Sequence, residues 1–319
     1  MRVFVAGASG ALGSRLVPQL VAAGHEVTGT HRSPGNAERV RRLGAEPVQL
    51  DLLNRDAVID AVVAAHPDAI IHQVTALAGD IDFKNFDRSF HQTSLLRTQG
   101  TDSLLAAAKA AGVKRFVAQS YASARYARVG GMVKTEDDPL DPDAVPATSE
   151  AMGALRYLDE AVTAAAGIVL RYGIFYGAAN DGLIEPVRKR MFPIVGAGTG
   201  VSSFIHLDDA AAATVLALEH PGPAIYNIAD DDPAPVREWL PVLAQALGAK
   251  PPRRAPRWMA RLFAGEAAVM MGTESRGGRT PRPSASSAGR CTTRPGARAS
   301  QWRTRRSRPE RSASPGRRG

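Results

Sequence analysis

Blocks of apolar residues alternate with amphipathic segments along residues 3–171. Short runs rich in Val, Ile and Phe predict buried strands, and apolar residues spaced three or four apart predict helices. Strands are expected at residues 3–6, 26–30, 46–50, 68–72, 114–118 and 168–171. Helices are expected between them at residues 11–23, 37–43, 58–65, 86–112 and 148–166. This alternation predicts an α/β fold with a doubly wound parallel sheet of the Rossmann type, covered by helices on both faces.

The pattern changes after residue 171, where the predicted elements become shorter and loops occupy more of the chain. These later elements are a helix, an alanine-rich helix, a strand and a last helix, expected at residues 183–191, after 209, at 224–228 and at 236–247. The sequence therefore predicts a first domain over residues 1–172 and a smaller lobe over residues 173–272. We expect this lobe to be interleaved with the last strands of the main sheet.

Three glycines at a spacing of three, Gly7, Gly10 and Gly13, lie between the first strand and the first helix. The first would allow a tight turn, the second a close approach of a pyrophosphate, and the third close packing of the helix on the sheet. The start of the helix would direct free N–H groups and its positive dipole end to the same point. This context predicts a dinucleotide site, whose alternative is a tight turn without a ligand. The binding residues would be Gly7, Ser9, Gly10, Ala11, Leu12 and Gly13.

The end of the second strand bears on the choice of cofactor. Residues 30–33 contain no acid to hold the ribose 2′-hydroxyl of NAD, but they contain Arg32, which suits the 2′-phosphate of NADP. The sequence therefore predicts NADP, with NAD as a possible cofactor, unless Arg32 is only a solvated surface charge.

Two further loops at the carboxyl ends of strands are candidate cofactor contacts. Asp51, next to Leu52, would accept a hydrogen bond from the adenine amino group or cap the following helix. Val74 and Ala76 belong to a loop of small residues after the fourth strand, where sheets of this type bind their ligands.

Composition limits the other classes of function. The only cysteine is Cys291, which excludes a disulfide framework and a cysteine-based metal site and suits a reducing cytosol. We find no signal peptide, no apolar stretch of membrane-spanning length and no His, Asp and Glu cluster with metal-ligand spacing. We therefore expect a cytoplasmic protein with no metal and no membrane contact. The sequence does not indicate an oligomeric state.

The formal net charge of +9 is misleading, because residues 276–319 carry +12 and the rest of the chain carries −3. From residue 276 the chain lacks Leu, Ile, Val, Phe, Tyr, Lys, Asp and Asn, which predicts a disordered basic tail over residues 273–319. Such a composition is typical of GC-rich DNA read out of frame, so we hypothesise a frameshift near residues 273–278. The alternative is an arginine-rich nucleic-acid arm. We expect incidental, salt-sensitive binding of polyanions rather than specific recognition of nucleic acid.

Over about residues 1–250 the chain resembles the extended short-chain dehydrogenase/reductase superfamily, in its NAD-dependent epimerase/dehydratase group. The motifs that carry the resemblance are the glycine turn, Asp51-Leu52, the serine-bearing turn after residues 116–117, LRYGIFYG at residues 170–177 and FIHLDD at residues 204–209. The resemblance implies an NAD(P)-dependent oxidoreductase or epimerase acting on a small carbonyl or hydroxyl substrate bound by the smaller lobe. It also implies cofactor contacts at Tyr172 and Phe175.

Enzymes of this family use a Tyr-x-x-x-Lys pair on the helix before the sixth strand, as a general acid–base with a tuned pKa. If Glu160 marks the register of that helix, Met152 occupies the tyrosine position and Arg156 the lysine position. Methionine cannot transfer a proton, whereas arginine can still hold a ribose. This departure leaves open a non-catalytic dinucleotide-binding protein, a redox sensor or scaffold.

Other residues would have to supply the missing hydroxyl. Tyr157 would need a shifted helical register, since it points about 100° away from Arg156. Tyr121 and Tyr126 lie in or beside the loop after the fifth strand. The serine of the family maps to Ser120 or Ser123. The catalytic candidates are therefore Ser120, Tyr121, Ser123 and Arg156.

Overall fold

The computed structural model describes residues 1–77, 81–177 and 182–280. Up to residue 172 the elements are β1 (Arg2–Ala6), α1 (Gly13–Ala22), β2 (Glu26–His31), α2 (Ala37–Arg42), β3 (Glu46–Gln49), α3 (Arg55–Ala65), β4 (Ala69–His72), α4 (Phe86–Leu95), α5 (Thr101–Ala110), β5 (Arg115–Tyr121), β6 (Val133–Lys134), α6 (Ser149–Ala164) and β7 (Ile168–Tyr172). They are followed by β8 (Ile174–Tyr176), α7 (Ile184–Arg188), β9 (Ile194–Val195), β10 (Val201–Ser202), β11 (Phe204–His206), α8 (Leu207–Ala217), β12 (Ala224–Ile228), β13 (Ala234–Pro235), α9 (Val236–Ala246), β14 (Arg254–Ala255), α10 (Arg257–Thr273) and β15 (Gly277–Gly278).

Seven strands form one parallel sheet in the order β12-β7-β5-β4-β1-β2-β3. The chain starts in the middle of this sheet, winds outward to β3, and then returns past β1 to build the other half. The predicted doubly wound parallel sheet is therefore confirmed. The predicted strand at residues 224–228 is its seventh strand, at the edge beside β7.

Apolar side chains fill a layer on each face of the sheet. Successive residues of β1 point to opposite faces, so that Val3 and Val5 pack with Leu16 of α1 while Phe4 packs with Leu104 of α5. Burial of a large apolar side chain contributes about 1.5–3 kcal/mol, which explains why both faces of the strands are apolar.

The predicted helix at residues 86–112 is divided in the structure. A π-helical turn, Leu96–Gly100, separates α4 from α5. The hydroxyls of Thr98 and Thr101 donate to the carbonyls of Ser94 and Arg97, four residues back, and such bonds bend helices. The turn places Arg97 in the interior, with 6% of its surface exposed.

The folded part of the chain extends further than the sequence predicts. Residues 274–280 were expected to belong to the disordered tail, but β15 pairs with β6 in parallel and is buried. A Cβ at Gly278 would lie 2.8 Å from the carbonyl oxygen of Ala122, so the close fit requires glycine there. The hydroxyl of Thr280 also exchanges hydrogen bonds with the backbone of Ala229. The rest of the predicted tail, residues 281–319, lies outside the described residues.

Within the described ranges, no helix is both long and apolar enough to cross a membrane.

Candidate functional site

The glycine turn has the geometry expected for a dinucleotide. Gly7 has a φ of +96°, and its N–H donates to the hydroxyl of Thr30 at 3.0 Å. A Cβ at Gly13 would lie 2.3 Å from the carbonyl oxygen of Gly7, so only glycine lets α1 pack this closely on the turn. Gly10 is exposed, and a Cβ there would meet only the Gly7 carbonyl, at 3.2 Å. The turn is therefore closed toward the protein and open above Gly10.

The start of α1 is free to bind an anion. Among the described residues, no side chain caps the helix, and its first turn contains no acid. Ser9 is half-buried and Ala11 is exposed beside Gly10, whereas Leu12 is buried. These residues fit a pyrophosphate, which the backbone N–H groups and the helix dipole would hold.

The two adenosine-side candidates are both exposed. Arg32 follows β2 with no ion pair among the described residues, and its carbonyl accepts from the side chain of Gln49. Asp51 does not cap α3, because Asn54 performs that role by accepting from Ala57 at 3.2 Å. Asp51 instead accepts from the N–H of Leu53, which leaves its second carboxylate oxygen available to a ligand.

The other predicted cofactor contacts differ in accessibility. Leu52 is buried, whereas Val74 and Ala76 are half-buried in the loop after β4, of which residues 78–80 lie outside the described ranges. Phe175 is half-buried, with its ring centroid 5.3 Å from that of Tyr172.

Tyr172, another predicted cofactor contact, has a buried side chain. Its side chain is 1% exposed, and its hydroxyl lies 2.6 Å from that of Thr214 in α8. Burial raises the pKa of its phenol well above the usual value for tyrosine. The residue packs in the apolar layer on one face of the sheet. An apolar run in the sequence does not show which residues of a strand a ligand can reach.

The two candidate serines are not exposed to a pocket. Ser120 accepts a hydrogen bond from Nη1 of Arg125 at 2.9 Å, and Ser123 lies 3.4 Å from the backbone nitrogen of Ser203. Both serines are 2% exposed. Their hydroxyls hold the loop after β5 in place, and the structure does not present either one to a substrate.

The three tyrosines considered as proton donors lie in different surroundings. Tyr121 ends β5 and is half-buried, and burial raises its pKa to about 12. Tyr126 is buried and donates to Oδ1 of Asn227 at 2.7 Å. Tyr157 is exposed and donates to Asp102 at 2.7 Å, on the outer side of α6. A shifted register that brings Tyr157 into the site is therefore ruled out.

Met152 and Arg156, at the positions of the missing pair, line a pocket between α6, the loop after β5 and the end of α10. Nη2 of Arg156 donates to the carbonyl of Asp141 at 2.8 Å. Met270 and Arg276 line the same pocket. The end of α10 and the residues just after it therefore contribute to the pocket in which Met152 and Arg156 lie.

Sequence reasoning missed a cluster of buried charges behind this pocket. Asp159 accepts from Arg125 at 2.7 Å and from Nε of Arg171 at 2.9 Å, and Nη2 of Arg171 lies 2.8 Å from the same carboxylate oxygen. All three residues are at most 5% exposed. Arg97 lies nearby, and burial lowers its pKa to about 10, while the carboxylate of Asp159 raises it. A signal was present in the sequence: Asp159 falls on the apolar side of its helix, next to Leu158 and Leu155.

The family model of the NAD dependent epimerase/dehydratase family matches residues 3–229. The chain belongs to this family. A Streptomyces relative, named 3-diazoavenalumate denitrifying reductase, is 41% identical over 290 residues, which cover 88% of this chain and 93% of the relative. The family and this relative show that the chain is an NAD(P)-dependent enzyme of the oxidoreductase and epimerase type. They do not favour the alternative of a non-catalytic binding protein.

Solved structures share this family's fold. The UDP-glucose 4-epimerase of Thermus thermophilus, in complex with NAD, has a TM-score of 0.64 at 24% identity, over 89% of this chain and 91% of that one. A human epimerase family protein with NADPH has a TM-score of 0.63 at 21% identity, over 88% of this chain and 90% of that one. Together with the geometry of the glycine turn, these neighbours support a nicotinamide dinucleotide as the cofactor.

Proposed function

We propose that this enzyme is an NADP(H)-dependent reductase of small carbonyl compounds or related electrophiles. The observation that carries the proposal is the open space above Gly10, combined with the exposed Arg32 and no acid at the end of β2. The backbone of the glycine turn would hold the pyrophosphate, and the Arg32 guanidinium would bind the 2′-phosphate. Arg156 would hold the nicotinamide-side ribose in place of the usual lysine.

The bound cofactor would supply the hydride, and this chain must supply the proton. We assign the proton to Tyr121, the half-buried tyrosine at the carboxyl end of a central strand. A pKa of about 12 keeps its hydroxyl protonated at neutral pH. The buried Ser120 and Ser123 would act as positioning residues, because they hold the loop that follows this strand.

Calorimetric titration with NADPH and NADH in parallel tests the cofactor assignment. Loss of a charge-assisted hydrogen bond, worth about 1.5–3 kcal/mol, predicts that Arg32→Ala weakens NADPH binding roughly 10- to 150-fold. NADH binding should not change. Arg188→Ala is the matched control, because Arg188 is exposed in α7 and pairs with its neighbour Glu185. A parent enzyme that prefers NADH would refute the proposal.

Tyr121→Phe tests the proton donor. We expect kcat of NADPH-dependent carbonyl reduction to fall at least tenfold while NADPH affinity is unchanged. Tyr126→Phe is the comparison, since its hydroxyl is already bonded to Asn227. If Tyr126→Phe lowers kcat and Tyr121→Phe does not, the assignment is wrong.

We further propose a cytoplasmic location, and polyanion binding by the eleven arginines of residues 281–319. The single cysteine supports the cytoplasmic location, and the large excess of positive charge in residues 281–319 supports polyanion binding.

A further inference from the structure

The pocket beside Met152 is lined by both apolar side chains and arginines, and we call it the arginine pocket. Its apolar lining includes Leu140, Val145, Met152 and Met270. Its basic lining is formed by Arg125, Arg128, Arg156 and Arg276. A ligand that fills it would need an apolar body and an anionic group.

Two of these arginines carry charges that no carboxylate neutralises. Arg128 pairs with Asp141 at 3.0 Å and with Glu274 at 3.2 Å. In contrast, Arg156 and Arg276 each donate to a backbone carbonyl at 2.8 Å, and neither has an ion pair within the described part of the chain. Carbonyls satisfy hydrogen bonds but do not balance charge.

The Arg276 guanidinium has a further unused donor. Its Nε is buried and has no hydrogen-bond partner among the described residues. A buried donor without a partner is destabilising, and a guanidinium cannot reduce this cost by losing its proton. An anion beside Arg276 and Arg156 would satisfy the unused donor and the two charges.

The lining of the pocket favours an anion. Four arginines, Arg125, Arg128, Arg156 and Arg276, line it together with the carboxylates of Asp141 and Glu274, which leaves a net charge of +2. The planar forks of Arg156 and Arg276 suit the two oxygens of a carboxylate. Met152 and Met270 adapt to a flat or extended apolar group.

We propose that the arginine pocket binds the carboxylate of an amphipathic substrate, with Arg156 and Arg276 on the anionic group and Met152 and Met270 on its apolar body. This inference rests on the proposed function, because it names the substrate class of the same site. Arg276 is the specificity-determining residue, and it comes from the segment that ties β15 to the loop after β5.

Binding of cinnamate and of its methyl ester to the apo enzyme, measured by calorimetry, tests the proposal. We expect cinnamate to bind at least tenfold more tightly than the ester. Arg276→Gln should reduce this preference roughly 10- to 150-fold, or abolish it. Arg276→Lys should retain part of it, since the charge stays. Arg261→Gln is the control, because Arg261 is exposed on α10 and pairs with Glu266.

Several outcomes would overturn the proposal: no cinnamate binding at millimolar concentration, equal binding of acid and ester, or an unchanged preference in Arg276→Gln. Preferential binding of inorganic phosphate would also overturn it. Thermal unfolding of each variant, and its NADPH titration, show whether the fold and the cofactor site are intact. Cinnamate binding is measured in the apo enzyme and does not depend on NADPH. Failure of NADPH binding would therefore refute the proposed function and leave the cinnamate result unaffected.

Discussion

The buried Asp159 gives the sharpest test of how the fold is stabilised. Oδ2 of this carboxylate accepts one hydrogen bond from Arg125 at 2.7 Å and one from Nε of Arg171 at 2.9 Å, and Nη2 of Arg171 lies 2.8 Å from the same oxygen. Asp159→Asn would keep the size of the side chain and remove its charge. The two guanidiniums, together with Arg97, would then be buried with no counter-ion among the described residues.

Removing one partner of a buried ion pair costs about 3–5 kcal/mol. Because a domain has only about 5–15 kcal/mol of unfolding free energy, we expect Asp159→Asn to lose about a fifth of it or more. Equilibrium urea unfolding, followed by circular dichroism, measures the change. Arg171→Met should lose a similar amount, and the double variant should lose less than the sum of the two.

Asp208→Asn is the matched control for this experiment. Its partner Arg15 lies 3.6 Å away, and both side chains are about 45% exposed, so we expect a loss of at most about 1 kcal/mol. A loss of less than about 1 kcal/mol for Asp159→Asn would show that water or a second anion already compensates the cluster. The reasoning from buried charge would then be wrong.

Three further predictions follow from single features of the structure. Gly13→Ala should abolish tight dinucleotide binding, measured by calorimetry, because its Cβ would lie 2.3 Å from a carbonyl oxygen. Gly153→Ala, in open space within α6, should instead stabilise the protein by about 1 kcal/mol, measured by equilibrium unfolding. Burial lowers the pKa of His72 to about 4, so as the pH falls its imidazole binds a proton in the unfolded chain before it does so in the folded protein. About 3 kcal/mol of unfolding free energy should therefore be lost as the pH falls from about 6.5 to 4. His72→Gln should flatten unfolding free energy against pH in that window, and an unchanged slope would exclude His72 as its source. Truncation after Thr280 should keep NADPH binding and abolish retention on heparin, whereas truncation after residue 273 should unfold the pocket; loss of NADPH binding in the first variant would contradict this division.

Much of the main sheet could be predicted from the sequence because its signals are local. The strands are short apolar runs, and the glycine turn has the same geometric requirement wherever it occurs, so Gly7, Gly10 and Gly13 lie where their spacing places them. The family resemblance, with Glu160 as the register mark, assigns Met152 and Arg156 to the tyrosine and lysine positions, and both residues line one pocket.

The site residues outside the turn depend on tertiary contacts that a sequence does not show. Ser120 has the residue type of a catalytic serine, but Arg125, five residues further along, occupies its hydroxyl. Arg276 was assigned to a disordered tail because its neighbours are small and polar. Those small residues fit because the backbone of β15 packs where a Cβ would collide with Ala122.

The placement of β15 has a consequence for the order in which the protein is made. The chain is synthesised from its N-terminus, so the glycine turn and the central strands leave the ribosome long before residues 270–280. The wall formed by Met270 and Arg276 therefore reaches the pocket last. A nascent chain would therefore acquire the glycine turn and the central strands before it could complete the lining of the arginine pocket.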